Sequence, residues 1–402
     1  MSSQDWEHSV GQHLDRLRDQ HLFRRRQLVT PLDATHVEVD GRRYVNFASN
    51  NYLGLTHHPR VVAAAWRATR DFGAGSGAAP LITGYTPAHQ SAEKCLAGWK
   101  QTEAAVLLPS GYQANVAAVQ ALAAIGEHTG GGGGGGSGGG VRFLLDKLAH
   151  ASLIDAIRST AAPYRVFPHN HLSKLERLLA EADPAQLQVV VTESIFSMDG
   201  DAADLAGLAE LKSKRPFVLL LDEAHAGGVY GPGGAGLAAE LGQTGVADVT
   251  VVTLSKALGS AGGAVCASAT FCDAVVNFGR AYVYSTHLPP AAAAAAEAAI
   301  GVMADEPQRQ RRVRELATRV RGELRAEGVA LPPGNSPIVP ITLGSERAAL
   351  EAARALQDQG LWALAIRPPT VPRGTSRLRV TLCSEHQDDE VARLVAALAS
   401  FR

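Results

Sequence analysis

Five side chains able to move protons or bonds stand just beyond apolar runs. His150 follows residues 141–145, Ser197 follows 188–196, Asp222 and His225 follow 217–221, and Lys256 follows 249–253. Each run is rich in valine, leucine or other β-formers and reads as a strand buried on both faces. An ammonium at the mouth of a buried strand is costly unless it has a partner or a task. Desolvation favours the neutral amine, which is a nucleophile for carbonyl carbon. Taken singly, each residue has an ordinary reading: a lysine reaching solvent, a capping aspartate, a satisfied core histidine, a turn serine. Five coincident placements at the strand ends of one sheet point instead to a reaction site.

The elements that must position them follow from the pattern. The apolar runs are separated by helical stretches at 172–182 and 205–212, the signature of a parallel sheet sandwiched by helices. Functional groups in such sheets collect at the strand C-termini. A further strand is expected at 103–108, then the turn PSGYQAN at 109–115 and a helix through Ile125. Small residues at a helix head leave free N–H groups that suit a phosphate. A lysine, a carboxylate, two imidazoles and hydroxyls beside a phosphate cradle match pyridoxal phosphate. Lys256 would form the imine, Asp222 would hold the ring nitrogen protonated, His225 would reach the phenolic oxygen with help from Ser197, and His150 would stack on the ring. Two glycine-rich stretches, 73–77 and 231–236, read as turns; the second matches GxGxxG but contains a proline and opens no clear helix.

The totals bound the rest. At 402 residues two domains are the natural expectation, and 46% hydrophobic with 19% charged residues describes an ordinary globular protein. The net charge of -1 gives no footprint for nucleic acid or membrane. The four cysteines form no CxxC and there is no HExxH, so no metal site is expected. The first residues lack the apolar core of a signal peptide, and no apolar run reaches membrane-helix length, so the expected location is the cytoplasm. Residues 5–28 read as an amphipathic arm ending in Arg24-Arg25-Arg26, and 37–45 as a hairpin about Asp40-Gly41. The expected division is an arm and hairpin at 1–46, a large cofactor-binding domain at 47–290, and linking helices with a small α/β domain at 291–402. The glycine run 130–140 reads as an expanded surface loop.

The chain resembles the α-oxoamine synthases of pyridoxal-phosphate fold type I, from about Arg24 to the C-terminus. The resemblance rests on NFASNNYLGL at 46–55, SGYQAN at 110–115, HASLID at 150–155, FSMDGD at 196–201, DEAHAGGVYG at 222–231, TLSKALG at 253–259 and RPPTVP at 367–372. The last stretch, with Arg24–Arg26, favours the biotin branch. It implies a large domain with a mostly parallel sheet plus a smaller C-terminal α/β domain. It also implies decarboxylative condensation of L-alanine with a pimeloyl thioester, on coenzyme A or acyl carrier protein. The sister alternative joins glycine to acetyl-CoA, as a 2-amino-3-oxobutyrate CoA ligase does. By resemblance Lys256, His150, Asp222 and His225 are catalytic. Gly111, Tyr112, Ser197 and Thr253 hold the cofactor together with Asp222, His225 and Lys256. Arg24, His150 and Thr370 contact substrate. A homodimer with shared sites is implied, residues 284–286 reaching across. Asn51 departs from the aspartate usual there, and 78–80 (Ala-Ala-Pro) from a more polar run.

Overall fold

The computed structural model describes residues 3–129, 140–183 and 185–401. Apart from Gly140, the glycine run expected as a surface loop lies outside the described residues. The chain divides into two compact units: Asn51–Ser197 with Asp201–Val313, and Met1–Asn50 with Met198–Gly200 and Arg314–Arg402.

The larger unit is built on a seven-stranded sheet. Its order from edge to edge is Ala104–Leu108, Gly263–Ala267, Val249–Thr253, Val218–Asp222, Leu187–Glu193, Val141–Asp146 and Tyr164–Phe167. Five neighbouring strands, from Val249–Thr253 to Tyr164–Phe167, pair in parallel, while Gly263–Ala267 runs antiparallel to both its neighbours. Strands Val249–Thr253 and Gly263–Ala267 are buried at every position, as helices on both faces require. Two of the seven, Tyr164–Phe167 and Gly263–Ala267, are absent from the sequence expectation. Each is short, and the second begins at a glycine, Gly263.

The helices fill the connections. Gly111–Thr129 lays Ala114, Ala117, Ala118 and Ala121 into the core, small side chains that let it approach the sheet closely. Asp204 caps Leu205–Lys214 by accepting from Gly207 N–H at 2.9 Å. His58 caps Pro59–Phe72 and pairs with Glu306 at 3.1 Å.

The smaller unit holds a three-stranded antiparallel sheet, Ile338–Gly344, Ser376–Thr381 and Leu364–Ile366. It also holds a sheet containing the hairpin His36–Val39 and Arg42–Asn46. The N-terminal arm is helical only over Ser3–Asp19; the chain turns at His21, whose φ is 56°. Arg321 is fully buried, and its guanidinium donates to the carbonyls of Pro332, Ser336 and Ile338. Among the described residues, no helix is long and apolar enough to cross a membrane, and no group of His, Cys, Asp and Glu could hold a metal ion.

Candidate active site

The parallel strands deliver their terminal residues to one edge of the sheet. Asp222 ends Val218–Asp222, in register with Glu193 on one side and Val251 on the other. Its Oδ1 accepts from Ala224 N–H at 2.8 Å, a local turn that fixes the carboxylate at the strand end. Its Oδ2 accepts from Asn115 Nδ2 at 2.7 Å; the same amide donates to Ser152 Oγ at 2.9 Å. His150 caps helix Ala151–Arg158, its Nδ1 accepting from Ser152 N–H at 3.2 Å. Burial lowers the pKa of this imidazole, Asp222 opposing and Lys256 adding to the effect, so the ring is neutral at neutral pH.

Lys256 follows Val249–Thr253 in a turn closed by Gly259 N–H donating to the Lys256 carbonyl at 3.0 Å. Gly259 has a φ of 63°, and a Cβ there would lie 2.5 Å from Thr56 N, so the turn requires glycine. Lys256 Nζ lies 2.8 Å from His225 Nε2, and Tyr52 Oη lies 2.5 Å from His225 Nδ1.

The third part is a helix head. Ser110 Oγ accepts from Gln113 N–H at 3.1 Å and starts helix Gly111–Thr129. Gly111 packs on Thr253: a Cβ on Gly111 would stand 3.1 Å from Thr253 Oγ1. Thr253 Oγ1 in turn lies 2.9 Å from Ser255 Oγ. Tyr112 is half exposed and donates its hydroxyl to Asp155 at 2.8 Å.

One cavity of about 210 Å³ collects Gly111, Tyr112, Asn115, His150, Glu193, Asp222, His225, Thr253 and Lys256 among its lining residues. Seven of the residues singled out from the sequence therefore line one space. Ser197 is buried in the same unit but is not among the lining residues. Arg24 and Thr370 belong to the smaller unit, where Arg24 Nη2 donates to Pro368 O at 3.3 Å and to Thr370 Oγ1 at 3.5 Å. A larger groove of about 430 Å³, lined by Ala64, Arg67, Phe72 and Glu297 among others, brings together no comparable nucleophile and base.

Asn115, Glu193 and Tyr52 were given no role in the sequence reading. Glu193 carried a signal, since it ends an apolar run as Asp222 does. Tyr52 and Asn115 carried none beyond their motifs. Asn51, the departure noted above, turns inward and donates to Thr56 Oγ1 at 2.8 Å.

The donor set fits pyridoxal phosphate. An amine lies beside an imidazole, a carboxylate faces the same space, and helix-head N–H groups stand beside two hydroxyls that suit an anion. Asn115 Oδ1 and Glu193 Oε1, of two residues that line the cavity, are buried without a hydrogen-bond partner among the described residues.

Comparison with known proteins agrees. The family described as aminotransferase class I and II matches residues 42–398. An 8-amino-7-oxononanoate synthase of Anaeromyxobacter dehalogenans is 43% identical over 98% of this chain and 95% of its own. Another, from Hahella chejuensis, is 37% identical over 99% of this chain and 96% of its own. Among solved structures, a serine palmitoyltransferase of S. paucimobilis has a TM-score of 0.88 at 26% identity, covering 100% of this chain and 98% of that one. An 8-amino-7-oxononanoate synthase of Francisella tularensis has a TM-score of 0.74 at 25% identity, covering 89% and 97%.

Proposed function

The chain belongs to the class I and II aminotransferase family, and within it to the 8-amino-7-oxononanoate synthases; from that premise we propose that it condenses L-alanine with a pimeloyl thioester. The products are 8-amino-7-oxononanoate, CO2 and free thiol, a step of biotin synthesis. The observation that carries the reading is the convergence of Lys256, His225, Asp222 and His150 on one cavity, beside the helix head at Gly111.

Pyridoxal phosphate, when bound, supplies an aldehyde for amino groups and a ring that accepts the electron pair released at the substrate α-carbon. Lys256 Nζ would hold the aldehyde carbon, and once displaced by the substrate amine it would take the α-proton and later return one. Asp222, fixed through both oxygens, would keep the ring nitrogen protonated. His225 and Ser197 would donate on the phenolic side. His150, neutral, would offer a flat face to the ring and a contact to substrate. Gly111, Tyr112 and Thr253 would bind the phosphate. Arg24 and Thr370, already hydrogen-bonded to each other, would bind substrate.

The proposal includes a homodimer with shared sites in the cytoplasm. Tyr284, whose ring is 74% exposed, supports the assignment of residues 284–286 as the segment presented to the partner.

The test is incubation with pyridoxal phosphate, L-alanine and pimeloyl-CoA or the pimeloyl carrier protein, with thiol and product mass followed together. Thiol released with 8-amino-7-oxononanoate is the expected result. The fold likeness to serine palmitoyltransferase at 26% identity makes serine with palmitoyl-CoA the second pair to try, and glycine with acetyl-CoA the third. Thiol release with either of those pairs and none with alanine would overturn the reading.

A further inference from the structure

Glu193 and Asp222 are register partners on adjacent parallel strands, and both line the cavity that contains Lys256. Both are buried, at 2% and 4% exposure. Their surroundings differ. Asp222 receives a nitrogen donor on each oxygen, from Ala224 N–H and from Asn115 Nδ2. Glu193 has no such pair of donors, and its Oε1 has no partner among the described residues.

Donors stabilise a carboxylate, and a neighbouring like charge opposes it. The groups acting on Glu193 are Asp222, Asp146, Lys256 and the His150 backbone. Lys256 is the one cation in that set, and His150's ring is held neutral by burial. Asp146 carries its own imidazole partner, His169, at 3.0 Å. One ammonium cannot compensate two further buried carboxylates, so the charge belongs on the better-solvated of the two, Asp222.

We propose that Glu193 is a positioning residue for Asp222: an uncharged carboxylic acid that fills the register position beside it and leaves the anionic charge of the pair on Asp222. The proposal rests on the reading of the cavity as a pyridoxal phosphate site. It assigns Glu193 a role other than supplying the imine nitrogen or a charge to the cofactor. Burial, with the Asp222 charge adding to it, pushes the Glu193 carboxyl well above the usual carboxylate range, in keeping with that state.

The experiment compares the holoenzyme with E193Q and E193A. Infrared difference spectra at neutral pH should show a protonated-carboxyl C=O band in the wild type that E193Q lacks. E193Q keeps the shape and fixes the neutral state. It should leave the pyridoxal phosphate dissociation constant, the visible circular dichroism of the bound cofactor and the pH profile of turnover within about twofold of wild type. E193A should weaken cofactor binding about tenfold and change the circular dichroism, because the side chain that packs beside Asp222 is removed. Rescue by glutamine of what alanine removes is the expected pattern. Absence of the band in the wild type, a pH profile displaced in E193Q, or unaltered circular dichroism in E193A would each overturn the assignment. Wild type that binds no pyridoxal phosphate would refute the site reading itself; wild type that binds it while E193Q does not would refute only the role of Glu193.

Discussion

Lys256 Nζ stands 2.8 Å from His225 Nε2, and the opposite nitrogen of that ring is held by Tyr52 Oη at 2.5 Å. A neutral imidazole has one donor and one acceptor, so the phenol and the amine must take complementary roles across it. Tyr52 is fully buried and has no solvent to fall back on. Tyr52→Phe would leave His225 Nδ1 short of its hydroxyl partner in a buried setting, a cost of about 1–3 kcal/mol. The expected outcome is a lower melting temperature together with slower turnover, the second because the ring that meets Lys256 loses the hydroxyl that orients its opposite nitrogen. Equal turnover in Tyr52→Phe and wild type would show that the contact is only packing.

Lys256→Ala removes both the carbonyl-trapping amine and the proton carrier. Turnover should fall by about 10⁴-fold or more, since proton transfer alone is worth about 10²–10⁴-fold. The cofactor should still bind through the helix head and Asp222, without the absorbance of its lysine-linked form. Absorbance and turnover measured on one preparation check this, and retained turnover would sink the role.

How much of this was legible in the chain depends on distance along it. Lys256, Asp222 and His150 were found because each ends an apolar run, and strand ends are where a parallel sheet gathers its chemistry. Local composition also located the helix head at Gly111. The partners were hidden. Asn115 meets Asp222 across 107 positions, and Tyr52 meets His225 across 173. Nothing in local periodicity couples such pairs; they meet because the fold brings together a helix, strand ends and turns far apart in the chain. The strand Gly263–Ala267 was missed for a related reason. Its five residues, GAVCA, begin with a glycine and directly follow another, and its β-state comes from pairing with Ala104–Leu108 and Val249–Thr253.

Asn115 gives a test of that hidden layer. Its Nδ2 serves both Asp222 Oδ2 and Ser152 Oγ. Asn115→Leu keeps the approximate volume and removes the donor. A hydrogen bond to a carboxylate is worth about 1.5–3 kcal/mol, so pyridoxal phosphate binding should weaken at least about tenfold. A fluorescence titration of the apoprotein reads this directly. Binding within twofold of wild type would mean that Asp222 is fixed well enough by Ala224.

Close backbone approach at the cradle predicts a contrast between two glycines. A Cβ on Gly111 would meet Thr253 Oγ1 at 3.1 Å, a contact the side chain can ease by turning. A Cβ on Gly263 would lie 2.6 Å from Gly111 Cα, against backbone that cannot turn away. Gly263→Ala should therefore destabilise the fold by about 3 kcal/mol, and Gly111→Ala by much less while still weakening the phosphate site. Denaturant midpoints alongside cofactor titrations separate the two. Equal loss of stability in both variants would contradict the geometry.

His169 contributes a pH dependence to the larger unit's stability. Its Nδ1 lies 3.0 Å from Asp146 Oδ1 and its Nε2 lies 2.7 Å from Asp201 Oδ2. Burial alone would lower the pKa of the ring, but the two carboxylate contacts outweigh it and raise the value from 6.5 to about 10. A folded-state pKa above the unfolded one contributes stability that is complete below 6.5 and is lost as pH rises through about 10. The side chain is 24% exposed, so solvent screening reduces the contribution to the order of 2–3 kcal/mol. His169→Gln removes it. The gap in unfolding free energy between wild type and His169→Gln should be widest in mildly acidic buffer and narrow steadily as pH rises through the window from 6.5 to about 10. Denaturant titrations at a series of pH values would measure that gap, and a gap constant across the window would mean that the imidazole does not carry its proton between the two aspartates.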